Sequence, residues 1–335
     1  MSAESLEKIK MLQESRKVRI GMVYAALGAP MLGVAFGFAG SAGTLAPFNM
    51  AFPTGSMAFQ FFEYMFGLLA IFIYSFMVGS AKDNFRIFKS KISWYGVFTA
   101  MTGMIGDFLF FSASAIVGGA IAGPLAALFG FWGAVITSLV YREKILQKWT
   151  IVGVIFIVAG IWVASGGMSI AAPEGVSGKI VLIGAAMGLL SAIMYGVENF
   201  AIAAGSDMIP EESTLFWRAG WALVALIILN FTIMPKFTDI ASIMFQEPMW
   251  WAYAAVTGGA WGVYMIVALY IGINTAGTVG GGLLASTGFV WTTLLSMTVY
   301  GGTWSTSLLL GSLIMFAGIS VMLLRPSNSI SKLRE

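Results

Sequence analysis

Long apolar runs, separated by short polar segments, dominate the chain and show no period-two alternation. A helix needs about 20 mostly apolar residues to cross the hydrocarbon of a bilayer. Membrane-spanning strands would appear instead as weakly alternating segments of about ten residues. The pattern therefore predicts an all-α integral membrane protein with ten transmembrane helices, called spans one to ten, at about 19–41, 57–79, 93–114, 116–140, 149–166, 179–204, 213–234, 250–271, 275–299 and 304–324.

Composition supports the membrane assignment and excludes several classes of function. Only 10% of the 335 residues are charged and 59% are hydrophobic, whereas a soluble domain is about 25% charged. The chain has no Cys and no His, which excludes thiol chemistry, Cys- or His-ligated metals and His-based acid–base catalysis. The net charge of +3 gives no indication of nucleic-acid binding. We expect no metal, no cofactor and no enzymatic activity.

The distribution of basic residues predicts the orientation. Cytoplasmic loops carry an excess of Lys and Arg. Most of the 18 basic residues fall in the N-terminal tail, in the loops after spans two and four and in the C-terminal tail, while Lys179 and Lys236 fall in the other set of loops and Arg218 within a span. Both termini are therefore predicted in the cytoplasm, with the chain in the cytoplasmic membrane of a prokaryote. In the tail, Leu6, Ile9 and Leu12 recur at helical spacing, which suits either an amphipathic surface helix or a solvated tail.

The second half of the chain repeats the first at a shift of 158 residues. GGAIAGPLAALFGF (118–131) aligns with AGTVGGGLLASTGF (276–289), and GVIFIVAGIWV (153–163) with GSLIMFAGISV (311–321). Each repeat contains five spans, an odd number, so the second copy enters the membrane from the opposite side. Inverted repeats are typical of alternating-access transporters. The predicted organisation is a cytoplasmic tail (1–18), a first repeat (19–166), an external linker (167–178), a second repeat (179–324) and a cytoplasmic tail (325–335).

Glycines recur at matched places in the two repeats and predict close helix packing. Small residues spaced along one helix face let apolar helices approach each other in lipid. The predicted packing positions are Gly119, Gly123, Gly153, Gly160, Gly277, Gly281, Gly311 and Gly318. Pro124 in span four, and Gly280, Gly281 and Gly282 at the matching place in span nine, predict a kinked or loosened helix beside a cavity.

These residues carry a family resemblance. Pro124 in an apolar span, the stretch YREKILQKWTIVGVIFIVAGIWV (141–163), its partner GSLIMFAGISVML and the repeat start GLLSAIMYGVENF (188–200) resemble the drug/metabolite transporter superfamily, in its ten-helix form with two EamA-type repeats. The likeness covers about residues 19–325. One departure is Gly301, which stands where the first half has Glu143. The resemblance implies a secondary transporter whose cavity is lined by spans one, three, four, six, eight and nine, and leaves the substrate open.

Ionisable residues inside the spans and not shared by the repeats are the main functional candidates, because charge in a bilayer is costly and usually faces a cavity or a partner. Asp107 and Glu63 each lie about 10 Å from the outer end of their spans, at 1.5 Å per residue. Either the two carboxylates share one cavity, where one of them would hold a proton, or Glu63 lies in a water-filled outer vestibule. Glu198 and Arg218 lie toward the inner side and predict an ion pair, acting as a structural pair, an inner gate or a substrate contact.

Deep aromatic side chains form the second group of candidates. Aromatic faces can hold a planar or cationic solute, although core packing is an alternative for each of them. The candidates are Tyr195, Trp261, Tyr264, Trp132 and Trp291.

Together these features predict a secondary active transporter of a small organic solute, with protons as a candidate coupling ion and no prediction of oligomeric state. The alternatives are a channel-like facilitator and a non-transporting membrane receptor or scaffold.

Overall fold

The computed structural model is helical wherever it assigns regular structure, and it describes residues 3–42, 47–48, 54–87, 93–141, 148–164, 178–205, 211–234, 236–299 and 306–323. Within these ranges no strand forms. The helices are α1 (Ala3–Ala42), α2 (Thr54–Met77), α3 (Ala81–Ile87), α4 (Ser93–Val117), α5 (Gly119–Ala126), α6 (Phe129–Tyr141), α7 (Lys148–Ala164), α8 (Gly178–Gly205), α9 (Glu211–Thr232), α10 (Phe237–Gln246), α11 (Pro248–Tyr264), a π-helical segment (Met265–Ile273), α12 (Asn274–Ser286), α13 (Gly288–Thr298) and α14 (Thr306–Leu323).

Seven helical stretches among the described residues are long and apolar enough to cross a membrane. This length and composition are those of an all-α, multi-pass membrane protein. The seven stretches are Arg16–Phe38, Thr54–Met77, Trp94–Val117, Ala122–Val140, Lys179–Ala204, Ser213–Thr232 and Pro248–Ala276.

The other three predicted spans are shorter or divided. Helix α7 has 17 residues and α14 has 18, with apolar stretches at Ile151–Gly160 and Leu309–Gly318. At 1.5 Å per residue each helix is about 26 Å long, somewhat less than the hydrocarbon thickness of about 30 Å. The ninth predicted span is divided between α12 and α13.

Two helices are interrupted near their middles, one in each half of the chain. The helical conformation is interrupted at Ala127 and Leu128, between α5 and α6, and at Thr287, between α12 and α13. At both interruptions a backbone N–H donates a hydrogen bond to the carbonyl oxygen three residues earlier. Leu128 donates to Leu125 at 3.3 Å, and Thr287 donates to Leu284 at 3.1 Å. The first break follows Pro124, whereas the glycines at 280–282 lie inside α12 rather than at the second break.

The two halves interleave rather than lying side by side. Helix α1 packs along the π-helical segment, α12 and α13, while α8 packs against α4 and α6. The approach of α1 is close: a Cβ on Gly28 would come within 2.7 Å of the backbone nitrogen of Ala268. Helix α1 is continuous from Ala3, so the predicted N-terminal tail and first span form one helix.

Glycines hold α7 and α14 together in an antiparallel contact. A Cβ on Gly160 would lie 2.6 Å from the Gly311 carbonyl oxygen, and one on Gly318 would lie 2.6 Å from the Gly153 carbonyl oxygen. All four of these predicted packing glycines are therefore at an interface that admits no side chain.

The remaining predicted packing glycines differ in what they contact. Gly123 faces the Phe289 carbonyl oxygen on α13, 3.1 Å from the place of its missing Cβ, and Gly281 faces the Gly272 carbonyl oxygen at 2.5 Å. Gly119 is buried. The surroundings of Gly277 lie outside the part of the chain that the structure describes.

Candidate functional site

Asp107, on α4, is held by two tyrosines from different helices. The Tyr195 hydroxyl, on α8, donates to Oδ1 of Asp107 at 2.5 Å, and the Tyr64 hydroxyl, on α2, donates to Oδ2. The Asp107 residue is 1% exposed. Gly106 makes room for this arrangement, because a Cβ there would lie 2.8 Å from the Tyr195 ring. Both carboxylate oxygens thus have a donor, which is what a buried carboxylate needs.

An ion pair between Glu198 on α8 and Arg218 on α9 lies beside this carboxylate. Nε of Arg218 is 2.5 Å from Oε1 of Glu198, and both side chains are almost fully buried. The ion pair predicted from the sequence is therefore present. Gly103 on α4 leaves space for it, since a Cβ there would lie 2.2 Å from the Arg218 guanidinium.

Aromatic rings cover the guanidinium. The Arg218 Cζ atom lies 4.8 Å from the centroid of the Trp261 ring and 5.4 Å from that of Tyr64. These distances are within the range of a cation–π interaction, which strengthens when the cation is shielded from water. Tyr64 therefore contacts Arg218 with its ring and Asp107 with its hydroxyl.

This double contact corrects the depths inferred from the sequence. Position along each span separated Asp107 from an inner pair at Glu198 and Arg218, but the packing of α4, α8 and α9 brings all three into one polar network. The sequence analysis missed Tyr64, whose place beside Glu63 in an apolar helix was the available signal. It also missed the role of Gly103, which only the helix–helix distance reveals.

A small cavity opens onto the network. It is lined by Leu32, Phe36, Asp107, Phe129, Tyr195, Glu198, Asn199, Arg218, Trp261, Tyr264, Met265, Leu269 and Phe289. The space in which the centre of a water molecule could lie is about 20 Å³, enough for one or two waters. Nη1 of Arg218 and Nδ2 of Asn199 are buried here without a partner among the described residues, so the cavity offers free hydrogen-bond donors.

The predicted aromatic candidates divide into two groups. Tyr195, Trp261 and Tyr264 line the cavity. Trp132 and Trp291 are not among the residues that line it. Trp132 packs on Gly196, and Trp291 is 38% exposed on the outside of the helices. The cavity takes other aromatics in their place, namely Phe36, Phe129 and Phe289.

Glu63, on α2, differs from every other acidic candidate. Its side chain is fully buried, so the wet vestibule predicted as one alternative is wrong. It is also absent from the cavity lining, so it does not share the cavity with Asp107. Neither of its carboxylate oxygens has a hydrogen-bond partner within the described ranges.

Comparisons with known proteins establish the fold but no family. No family model matches the chain, and no curated protein matches it. Among solved structures 24 chains match. One of them, titled only "Crystal structure of protein", is 18% identical, with a TM-score of 0.56, over 96% of this chain and 99% of that one. The likeness at this identity is one of fold alone, and it extends over nearly the whole chain.

Proposed function

We propose that the protein is a secondary active transporter of a small organic solute, with ten spans in two inverted five-helix halves, in the drug/metabolite transporter superfamily. The observation that carries the proposal is the buried network of Asp107, Glu198 and Arg218, which helices of both halves enclose. Ionisable groups at such depth in a membrane protein usually serve a transport pathway. Transporters with inverted repeats bind their solutes at the interface of the repeats.

The contact between α7 and α14 supports the inverted repeat. The shift of 158 residues makes Gly153 equivalent to Gly311, and Gly160 equivalent to Gly318. Gly160 packs on Gly311, and Gly318 packs on Gly153. A two-fold axis between the helices would produce this reciprocal pairing of equivalent positions.

The interrupted helices support the same symmetry. Helix α5 packs against α13, and α6 packs against α12. At a shift of 158 residues, α5 corresponds to the second part of α12, and α6 to α13. The crossing of the two broken helices is therefore also reciprocal, and such breaks beside a cavity are a feature of transporter helices.

The size of the cavity supports alternating access over an open pore. Among the described residues the cavity has room for one or two waters and none for an organic solute, so we take this conformation as closed around the polar network. A solute would enter only if helices of the two halves move apart. Counterflow distinguishes this mechanism from a channel-like facilitator: a carrier preloaded with unlabelled solute accelerates uptake of labelled solute, whereas a channel does not.

Asp107 is the proposed central polar contact. With the Glu198–Arg218 pair neutral overall, an ionised Asp107 leaves the cavity with one negative charge, and the aromatic wall suits a cationic group. By the positive-inside rule, we place the protein in the cytoplasmic membrane with both termini inside.

Thermal stabilisation tests the proposal. Purified protein is screened against amino acids, nucleosides, polyamines and quaternary amines, beside Asp107→Asn, and stabilising compounds are then tested for uptake into proteoliposomes. We expect a cation that stabilises the wild type but not the variant, and transport that Asp107→Asn abolishes while the protein still folds. Unchanged transport by Asp107→Asn would remove Asp107 from the mechanism, and no transport of any stabilising compound would overturn the proposed function.

A further inference from the structure

Among the residues with described side chains, three carboxylates are buried between the central helices, and they differ in how they are stabilised. Asp107 accepts a hydrogen bond on each oxygen, and Glu198 is paired with Arg218. Glu63 is 0% exposed, and neither of its oxygens has a partner among the described residues. An ionised carboxylate without a partner is too costly to bury, whereas a protonated one is not.

Gln60, one helical turn before Glu63, lacks a hydrogen-bond donor to its amide oxygen among the described residues, and a protonated Glu63 would supply one. The amide nitrogen of Gln60 donates to the Met104 carbonyl oxygen at 2.9 Å, but its amide oxygen is buried without a donor. Residues three apart on a helix have Cβ atoms about 5–6 Å apart. A neutral Glu63 carries one O–H donor, whereas an ionised Glu63 carries only acceptors.

The charged groups described around Glu63 do not offer it a counterion. Helices α4 and α9 pack against α2, and their charged residues with described side chains are Asp107 and Arg218. Asp107 is itself acidic. Arg218 is paired with Glu198 through Nε, and its Nη1, unpartnered among the described residues, makes no hydrogen bond to Glu63. Helix α11, whose Gly258 packs against the Glu63 backbone, carries no charge. The charged residues described on α3 and α10, Lys82, Asp83 and Asp239, are exposed.

We propose that Glu63 is a proton-binding site, protonated in this closed conformation, and that it releases its proton to water when the helices part. This inference rests on the proposed transport function and names its coupling residue. The step is a simple ionisation: the carboxyl O–H bond breaks, the proton passes to water and the carboxylate remains solvated. Rebinding of a proton, followed by closure, restores the conformation described here.

The position of Glu63 suits this coupling role. Its neighbour Tyr64 binds Asp107 and covers Arg218, so a movement of α2 that wets Glu63 also disturbs the cavity. Helices α2 and α11 are in close contact at two places, where Gly258 meets the Glu63 backbone and Gly67 meets Trp261. The two halves would separate there to admit water. Glu63 therefore exchanges its proton without occupying the solute cavity.

Infrared spectroscopy of the purified protein tests the proton directly and requires no substrate. We expect a C=O stretching band of a protonated carboxyl group at neutral pH, with slow exchange in D₂O because the group is buried. The band should be lost in Glu63→Gln and kept in Asp107→Asn and in Asp239→Asn, a change at an exposed carboxylate. Absence of the band from the wild type, or its loss in Asp107→Asn instead, would overturn the inference, even if Glu63→Gln did not fold.

Transport then tests coupling separately from function. For a compound that the wild type carries into proteoliposomes, Glu63→Gln should lose accumulation driven by a pH gradient but keep counterflow. Accumulation that persists in Glu63→Gln would overturn the inference and leave the proposed function standing. If the wild type transports none of the compounds, the proposed function is rejected. The infrared band alone then decides whether Glu63 binds the proton.

Discussion

The hydroxyl of Tyr195 donates a 2.5 Å hydrogen bond to Oδ1 of Asp107. The two residues are 88 positions apart, one in each half of the chain. The bond joins α4 to α8 at the cavity. The Tyr64 hydroxyl, on α2, donates to the other carboxylate oxygen of Asp107. The central charge of the protein is therefore held by a contact that must change if the halves move relative to one another.

Removal of either tyrosine hydroxyl should destabilise the closed protein. Tyr195→Phe or Tyr64→Phe leaves one Asp107 oxygen without its donor, at a cost of about 1–3 kcal/mol. We expect a lower melting temperature in detergent for each variant. Tyr24→Phe, on the exposed face of α1, is the matched control and should melt like the wild type. Equal melting of all the variants would show that the hydroxyls do not stabilise the carboxylate.

The buried ion pair should show strong coupling in a double-mutant cycle. Glu198→Gln or Arg218→Met leaves an uncompensated buried charge, which costs about 3–5 kcal/mol. The double variant removes both charges, so it should cost less than the sum of the single variants. Thermal unfolding of the four proteins measures the coupling. Additive costs would contradict a direct interaction.

Gly103 should tolerate no side chain, because its missing Cβ is the space that the ion pair occupies. Gly103→Ala would bring a methyl group within 2.2 Å of the Arg218 guanidinium and should lower the melting temperature. Gly220→Ala is the control, since nothing lies within 4 Å of that position. An added methyl in a helix there should stabilise by up to about 1 kcal/mol. The two variants should therefore shift the melting temperature in opposite directions.

The contact between α7 and α14 should be sensitive to side-chain size on one face only. Gly160→Leu and Gly318→Leu push a side chain into the backbone of the facing helix, and overpacking of this kind typically costs about 1–3 kcal/mol. Ala159→Leu and Ala317→Leu, at exposed neighbours, are the controls. We expect the yield of monodisperse protein in size-exclusion chromatography to fall for the glycine variants alone. Equal yields for all four would argue against the interface.

The absence of Cys from the chain makes its orientation directly testable. Single cysteines at Ser5, Ser169 and Ser331 mark the N-terminal tail, the predicted external linker and the C-terminal tail. A membrane-impermeant maleimide applied to intact cells should label Ser169→Cys and leave Ser5→Cys and Ser331→Cys unlabelled until the cells are broken. Labelling of either tail from outside would overturn its predicted cytoplasmic placement, and labelling of a tail and Ser169→Cys from the same side would overturn five spans in that half.

The sequence by itself determined the helical membrane class and the candidate charges. Apolar runs of about 20 residues have one stable outcome in lipid, because a helix satisfies its own backbone hydrogen bonds. The Gly153, Gly160, Gly311 and Gly318 pattern predicted close packing, and these glycines lie at the α7–α14 contact. The pairing of Glu198 with Arg218 was also predictable, because two buried opposite charges have few other partners in an apolar chain.

Only the tertiary structure decided which of those charges meet. Depth along a span says nothing of helix tilt or rotation, so the sequence separated Asp107 from Glu198 and Arg218, which the structure unites through Tyr64. Rotation of each helix about its axis likewise determined that Trp261 lines the cavity while Trp291 faces outward. The same rotation buries the Glu63 carboxyl with no hydrogen-bond partner in the described part of the chain. Its neighbours come from other helices, and their positions are properties of packing that no local pattern records.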